Sequence, residues 1–158
     1  MRPEPGHPSS DDGWSAALRS LTSPRDANHQ GSVFGGVLLS LIDQAGYVEA
    51  RKHGRHRWVT VAMQAVEFHQ PVWMGDIVTL WTRTARAGKT SVTVEVRVDA
   101  ERYATGDLVH VTNATMTLVA TNASGQPIPF REPPSMPATP SAPSSPASEG
   151  NGGGGGGR

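Results

Sequence analysis

Apolar and polar residues along the chain alternate at two different periods, and the change of period marks the elements. Trp14 to Leu21 reads as a short strand that runs into a Ser23-Pro24 break. From Phe34 onward the period becomes helical: Leu38, Leu41, Ile42, Ala45 and Val48 fall near i, i+3, i+4, i+7 and i+10. Val37 and Leu39 widen that surface, so the spacing predicts a buried helix ending near Ala50. After a basic connection, Arg51 to Arg57, a period of two takes over. Val59, Val61, Met63 and Ala65 alternate with Thr60 and Gln64 in a strand predicted over Trp58 to His69. Pro71 to Asp76 is a turn or bulge. Ile77 to Arg86 and Thr90 to Val98 are strands flanking a tight turn at Ala87-Gly88-Lys89. Leu108 to Thr121 is a long last strand after a loop at Glu101 to Asp107.

The order is strand, long helix, then four strands joined by hairpin-type turns, which implies antiparallel neighbours. One helix wrapped by a curved antiparallel sheet of about five strands is an α+β layer fold of the hotdog kind. An open helix-on-sheet layer without wrapping has the same pattern. Residues 1–13 are Pro, Ser, Gly and charge, and residues 131–158 are dominated by Pro, Ser, Ala and Gly with Met136 as the one large apolar residue, so both are expected to be disordered. The folded domain is expected over 14–130.

Composition narrows the chemistry. Formal net charge is zero, which gives no footing for nucleic acid or a membrane surface. Without cysteine there is no disulfide framework, thiol nucleophile or Cys-ligated zinc. No stretch has the roughly 20 apolar residues of a membrane span, and the N-terminus lacks the apolar core of a secretory signal. A cytoplasmic setting is therefore expected. His53-x-x-His56 has no third ligand within the motif, so no metal is expected. P-loop, G-x-G-x-x-G and G-x-S-x-G patterns are missing.

The candidate chemistry lies in the helix. A carboxylate at Asp43, in the middle of an apolar helix, is costly unless it is paired or working. Gly36, Leu39, Asp43, Tyr47 and Ala50 share one stripe. Gly35 and Gly36 fall at the first turn, where backbone N–H groups have no intrahelical partner and the dipole is positive. Such donors suit polarising a carbonyl, and a carboxylate on the same face can deprotonate water or attack directly. Burial would raise the pKa of that carboxylate. Each feature has a plainer use: a mid-helix Asp is most often solvent-facing or paired with Arg, a glycine pair allows close packing, and Asn28 is a good turn former.

The string Pro24-x-Asp26-x-Asn28-x-x-Gly31-x-x-Phe34-Gly35-Gly36-x-Leu38-x-x-x-Ile42-Asp43-x-Ala45-Gly46 resembles the acyl-CoA thioesterase family of the hotdog fold, cytosolic acyl-CoA hydrolase branch. Val59 to Ala62, Phe68 with Pro71, Gly75-Asp76, Gly88 to Ser91 and Thr115 to Ala120 extend the likeness over most of 14–121. The resemblance implies Asp43 as catalytic carboxylate, Asn28 as the polar residue that positions water or thioester, and the Gly35 or Gly36 N–H as carbonyl donor. It implies that Asn and Asp of one site come from different protomers, so that a homodimer is the smallest active unit and a hexamer is a common assembly. The expected substrate is acyl-CoA, and no separate cofactor is implied because coenzyme A is part of that substrate. CoA phosphates seek cations and N–H groups, which points to Lys89, Thr90 and Ser91 at the hairpin. Thr60 and Arg57 complete the implied substrate contacts, Arg57 within a basic loop of a kind that is usually only solvated.

Three departures stand out: Ala27 where Thr is common, Ser32 where an acidic residue is frequent, and an unusual Trp73-Met74 before Gly75-Asp76. The expected function is hydrolysis of acyl-CoA to free acid and CoA. The alternatives are a hotdog enoyl-CoA hydratase or dehydratase, suggested by Asp26-x-Asn28-His29, and a non-catalytic acyl-CoA-binding module.

Overall fold

In the computed structural model, which describes residues 8–64 and 66–134, five antiparallel strands form one sheet around one long helix. The strands are β1 (Ser15–Leu21), β2 (Arg57–Gln64), β3 (Ile77–Ala87), β4 (Ser91–Glu101) and β5 (Leu108–Thr121), and the helix α1 is Gly35–Ala50. Their order across the sheet is β1-β3-β4-β5-β2. The expected helix-wrapped sheet is therefore present.

Two expectations need correcting. Strands β2 and β3 are not a hairpin: β2 pairs with β5, and β3 lies between β1 and β4. The segment between them is long enough to cross the sheet, so sequence adjacency does not become spatial adjacency here. Nor is α1 buried all round. Leu38, Ile42, Ala45, Gly46, Glu49 and Ala50 are buried, whereas Leu39, Asp43, Tyr47 and Val48 are exposed. The helix has one face on the sheet and one face open.

Alternation builds the core. Val92, Val94, Val96 and Val98 of β4 are fully buried toward α1, as are Val78 and Leu80 of β3 and Met116, Leu118 and Ala120 of β5. The period of two puts their neighbours on the other, more polar face. Register shifts at Ala16/Leu18, Thr60/Ala62, Thr84/Arg86 and Val98/Asp99 interrupt the pairing. Bulges of this kind bend strands and increase twist, which lets the sheet curl around the helix. Close approach is secured at Gly46, where an added Cβ would stand 2.3 Å from Met116 Sδ.

After β5, Phe130 is buried and meets His53 and Trp58 ring to ring at 5.6 Å each. The Phe130 amide donates to the Lys89 carbonyl and its own carbonyl lies 2.8 Å from His56 Nε2. Gly54 adopts φ 149°, and a Cβ there would meet the His56 ring at 2.8 Å, so glycine is needed at this corner. At the N-terminal side, Ser10–Asp12 forms a 3-10 turn capped by Ser9, inside the stretch expected to lack order. Residues 1–7 and the expected tail beyond 134 lie outside the described residues.

Candidate active site

The carboxylate that sequence reasoning placed in a buried setting lies on the open face of α1. Asp43 is exposed in the single chain, and the buried carboxylate of the helix is Glu49. This corrects the premise of an apolar surrounding for Asp43: residues 39, 43 and 47 repeat every four positions and turn away from the sheet, while 38, 42, 45, 46 and 49 turn toward it.

Asp43 nevertheless faces a defined groove of about 570 Å³, lined by Leu18, Asp43, Tyr47, Val48, Trp58 and Thr60 among others. Its walls are mostly apolar, with Asp43, Gln44 and Thr60 as polar members. Thr60 Oγ1 donates to Asp43 Oδ1 at 2.6 Å. A short hydroxyl–carboxylate bond fixes the rotamer of a side chain that would otherwise be free in solvent. Thr60 can reach because β2 alternates, with Trp58 and Thr60 on the helix side. Thr60 was expected among the CoA contacts, and the structure places it beside the carboxylate.

The glycines fall where the spacing predicts, at the first two positions of α1. The Val37 and Leu38 amides donate to the Phe34 carbonyl, and among the described residues the Gly35 and Gly36 amides have no acceptor. A Cβ on Gly35 would touch the Phe68 ring at 3.4 Å, but one on Gly36 would meet nothing within 4 Å. Packing within the chain thus accounts for the first glycine only. Open space at the second suits the close approach of another molecule.

Asn28 is not in the Asp43 groove of the same chain. It organises its own loop: its Oδ1 accepts from the Gln30 amide at 2.8 Å and the Ser32 amide at 3.3 Å, and its Nδ2 donates to Ser32 Oγ. That loop is fastened to the 71–76 turn by a Ser32–Trp73 bridge and to α1 by the Phe34 amide on the Asp26 carbonyl. Asp26 is occupied as well. The Ser23 hydroxyl and amide donate to its Oδ2, and those hydrogen bonds hold its carboxyl below the usual range.

Lys89, Thr90 and Ser91 lie at the β3–β4 hairpin as expected. Their carbonyls anchor Phe130, Ala120 and Gly88, the Lys89 side chain is exposed, and none of the three lines the Asp43 groove. The Arg57 guanidinium reaches the Ala123 carbonyl at 3.4 Å. The two histidines of His53-x-x-His56 point to different partners, Thr84 Oγ1 and the Phe130 carbonyl, each at 2.8 Å.

Two features were missed in the sequence. Leu18 belongs to the groove although it lies on β1, far from Asp43 along the chain. Glu49 is the other. It accepts from Lys52, from Thr82 Oγ1 at 2.9 Å and from Thr84 Oγ1 at 2.9 Å. Burial pushes the Glu49 carboxyl up, but the donors from Lys52, Thr82 and Thr84 outweigh it and leave it below the usual glutamate range. An acidic residue three before Lys52 was the available signal.

The thioesterase superfamily model matches residues 30–106, which span the Asn28 loop's end, α1, β2, β3 and β4. The acyl-CoA thioester hydrolase YciA of Salmonella typhimurium is 34% identical over 115 residues, covering 71% of this chain and 86% of that protein. Among solved structures, a hexameric hotdog-fold thioesterase of Campylobacter jejuni is 38% identical with a TM-score of 0.68, covering 72% of this chain and 88% of that one. A hexameric thioesterase of Yersinia pestis is 33% identical with a TM-score of 0.69, covering 73% and 93%. Chain order, helix-wrapped sheet and sequence identity agree, and this chain belongs to the thioesterase superfamily of the hotdog fold, alongside the acyl-CoA thioester hydrolases.

Proposed function

We propose that this protein hydrolyses acyl-CoA thioesters to a free carboxylic acid and CoA, with Asp43 as the catalytic carboxylate. The observation that carries the reading is Asp43 held by Thr60 at one end of an apolar groove. Relatives at 34% identity are named acyl-CoA thioester hydrolases, which supports the same substrate class here.

The chemistry follows from these groups. Asp43 takes a proton from a water as the water oxygen bonds to the thioester carbonyl carbon. The Gly35 or Gly36 N–H holds the oxyanion that forms. When the carbonyl re-forms, the C–S bond breaks and CoA leaves as a thiolate, a leaving group stable enough to depart without a strong general acid. Direct attack by Asp43, followed by hydrolysis of the mixed anhydride, uses the same geometry. The two routes differ in whether oxygen from labelled water enters Asp43 during a single turnover.

One helix cannot present both groups to a single carbonyl. Helical N–H groups point toward the N-terminus, and Asp43 lies seven residues the other way, about 10 Å along the axis. A complete site therefore takes the amides, and the Asn28 loop beside them, from a second copy. The open face of α1 and the outer edge of β2 suit that copy: Leu39, Tyr47, Val48, Val59 and Val61 are exposed there, and β2 has no strand partner on that side among the described residues. A homodimer is the minimal active unit in this reading, and hexameric neighbours support three such dimers as the full assembly.

The test is release of thiol from acyl-CoAs of graded chain length, followed with a thiol-trapping dye. Release by the wild type that is lost in Asp43→Asn is the expected result. Tight acyl-CoA binding without thiol would instead make the protein a binding module. Loss of the conjugated double bond from an enoyl-CoA would indicate a hydratase, a role for which Asp26 is poorly placed because it is committed to Ser23.

A further inference from the structure

The groove beside Asp43 exists because the sheet does not close. β1 and β2 are its two edges, yet Leu18 of β1 and Trp58 of β2 line the same space over the open face of α1. Asp43 and Thr60 mark one end of that space. From there its walls run toward the C-terminal end of α1, with Tyr47 and Val48 about 6 and 7.5 Å beyond Asp43 along the helix axis. On the facing strand Trp58 lies two residues before Thr60, a step of about 7 Å. The Trp58 indole N–H donates to the carbonyl of Gly54, just past the end of the helix, which sets the ring at the far end of the groove.

That ring is pinned. Trp58 is 6% exposed, its N–H bond is 3.0 Å long, and it packs on His56 at 6.1 Å and Phe130 at 5.6 Å between ring centroids. The chemistry of the groove is one-sided as well. No Lys, Arg or His lines it, so it offers nothing to the phosphates of CoA. Two other cavities, one at Glu49, Arg83 and Glu95 and one at Trp14, Arg83 and Asn113, carry charge and lack Asp43. Of the two ends of an acyl-CoA, the apolar acyl chain is the one that fits beside this carboxylate.

We infer that this groove receives the acyl chain and that Trp58 is the wall that limits its length. The inference rests on the hydrolase reading above and adds the substrate class, acyl-CoAs of short to medium chain. Between Asp43 and the ring there is room, with C–C bonds of about 1.5 Å set in zigzag, for roughly five or six carbons past the carbonyl. A longer chain meets Trp58 and has to turn out of the groove. Tyr47, Val48 and Val59 are shared with the face assigned above to a second copy. Asp43 has to reach a thioester in any active dimer, so that copy roofs the groove and does not fill it. Each CH₂ buried there raises kcat/KM about four-fold, the ratio equivalent to ~0.8 kcal/mol. The gain stops where the room does.

The experiment measures kcat/KM for thiol release from acetyl-CoA to dodecanoyl-CoA, and Kd for the same series on Asp43→Asn, where the thioester outlasts the measurement. In the wild type, kcat/KM should climb to about hexanoyl-CoA and then level or fall. Trp58→Val opens the far end, so its dodecanoyl-to-hexanoyl ratio should rise about ten-fold or more over wild type. Leu18→Phe fills the groove from the β1 side and should lower the octanoyl-to-butyryl ratio. Each ratio is taken within one protein, so a variant that folds in poor yield still gives an answer. A Trp58→Val ratio within about two-fold of wild type overturns the inference, as does a wild type whose gain per CH₂ continues to dodecanoyl-CoA. Should Trp58→Val fail to fold, Leu18→Phe decides, and an unchanged ratio there overturns it. A wild type that releases no thiol from any acyl-CoA sinks the proposed function alone. The Kd series on Asp43→Asn then decides the groove: affinity should rise with chain length and stop near six carbons, and a flat or unbroken series overturns it.

Discussion

Thr60 Oγ1 and Asp43 Oδ1 lie 2.6 Å apart, and this bond joins edge strand β2 to the open face of α1. It gives an otherwise solvent-facing carboxylate a set direction. Asp43→Asn keeps the size and the hydrogen bond but loses the base, so thiol release should fall by about 10²–10⁴. Thr60→Val removes only the positioning bond. A charge-assisted hydrogen bond is worth about 1.5–3 kcal/mol, so a smaller loss of roughly 10–100-fold, mostly in kcat, is expected. If Thr60→Val loses as much as Asp43→Asn, the hydroxyl does more than position.

A site shared between two copies can be tested by mixing dead proteins. Asp43→Asn and Asn28→Ala should each be inactive alone. After subunit exchange half the dimers are mixed, and each mixed dimer has one intact site of two, so about a quarter of wild-type activity should return. Mixtures that stay inactive after demonstrated exchange would place both residues in the same protomer's site.

Gly46 sets how closely α1 sits on the sheet. Gly46→Ala gains about 1 kcal/mol of helix propensity but drives a methyl into Met116, and overpacking costs about 1–3 kcal/mol. A net loss of up to about 2 kcal/mol is expected in denaturant unfolding. Met116→Val in the same chain should recover part of it, since the clash is with the end of that side chain. A Gly46→Ala protein as stable as wild type would show that Met116 simply swings away.

Glu49 makes stability fall in acid. Its folded-state carboxyl is below the ordinary glutamate value of 4.5, held there by Lys52, Thr82 and Thr84 against burial. The unfolded chain therefore binds more protons in this range, so the stabilisation is present above the unfolded pKa and is lost as pH falls through the folded one. Melting temperature should drop more steeply from about pH 4.5 downward in wild type than in Glu49→Gln. At neutral pH, Glu49→Leu leaves the buried Thr82 hydroxyl without its acceptor while the half-exposed Lys52 turns to solvent, and a loss of about 1–3 kcal/mol is expected. Parallel acid profiles for wild type and Glu49→Gln would remove Glu49 from that role.

What the sequence determined by itself was local. The period of two laid out the strands, β5 to the residue at both ends but β2 too long, since it stops at Gln64 and not at His69, and the helical period with two glycines at its start located α1. These patterns were legible because alternation and turn chemistry depend on neighbours a few residues away. The same motif named Asp43, Asn28, Gly35 and Gly36 as a set, while their roles in catalysis await the experiments above.

Only the tertiary structure decided which strands are neighbours, which helix face is open and which carboxylate is buried. A 12-residue crossing can return a strand to either edge of a sheet, so β2 beside β5 could not be read from a hairpin rule. An apolar residue on α1 looks the same in sequence whether it meets the sheet, as Ile42 does, or is left uncovered in the single chain, as Leu39 and Val48 are. Burial is a property of what packs against a residue, and for Leu18, Glu49 and Thr60 those partners come from distant parts of the chain.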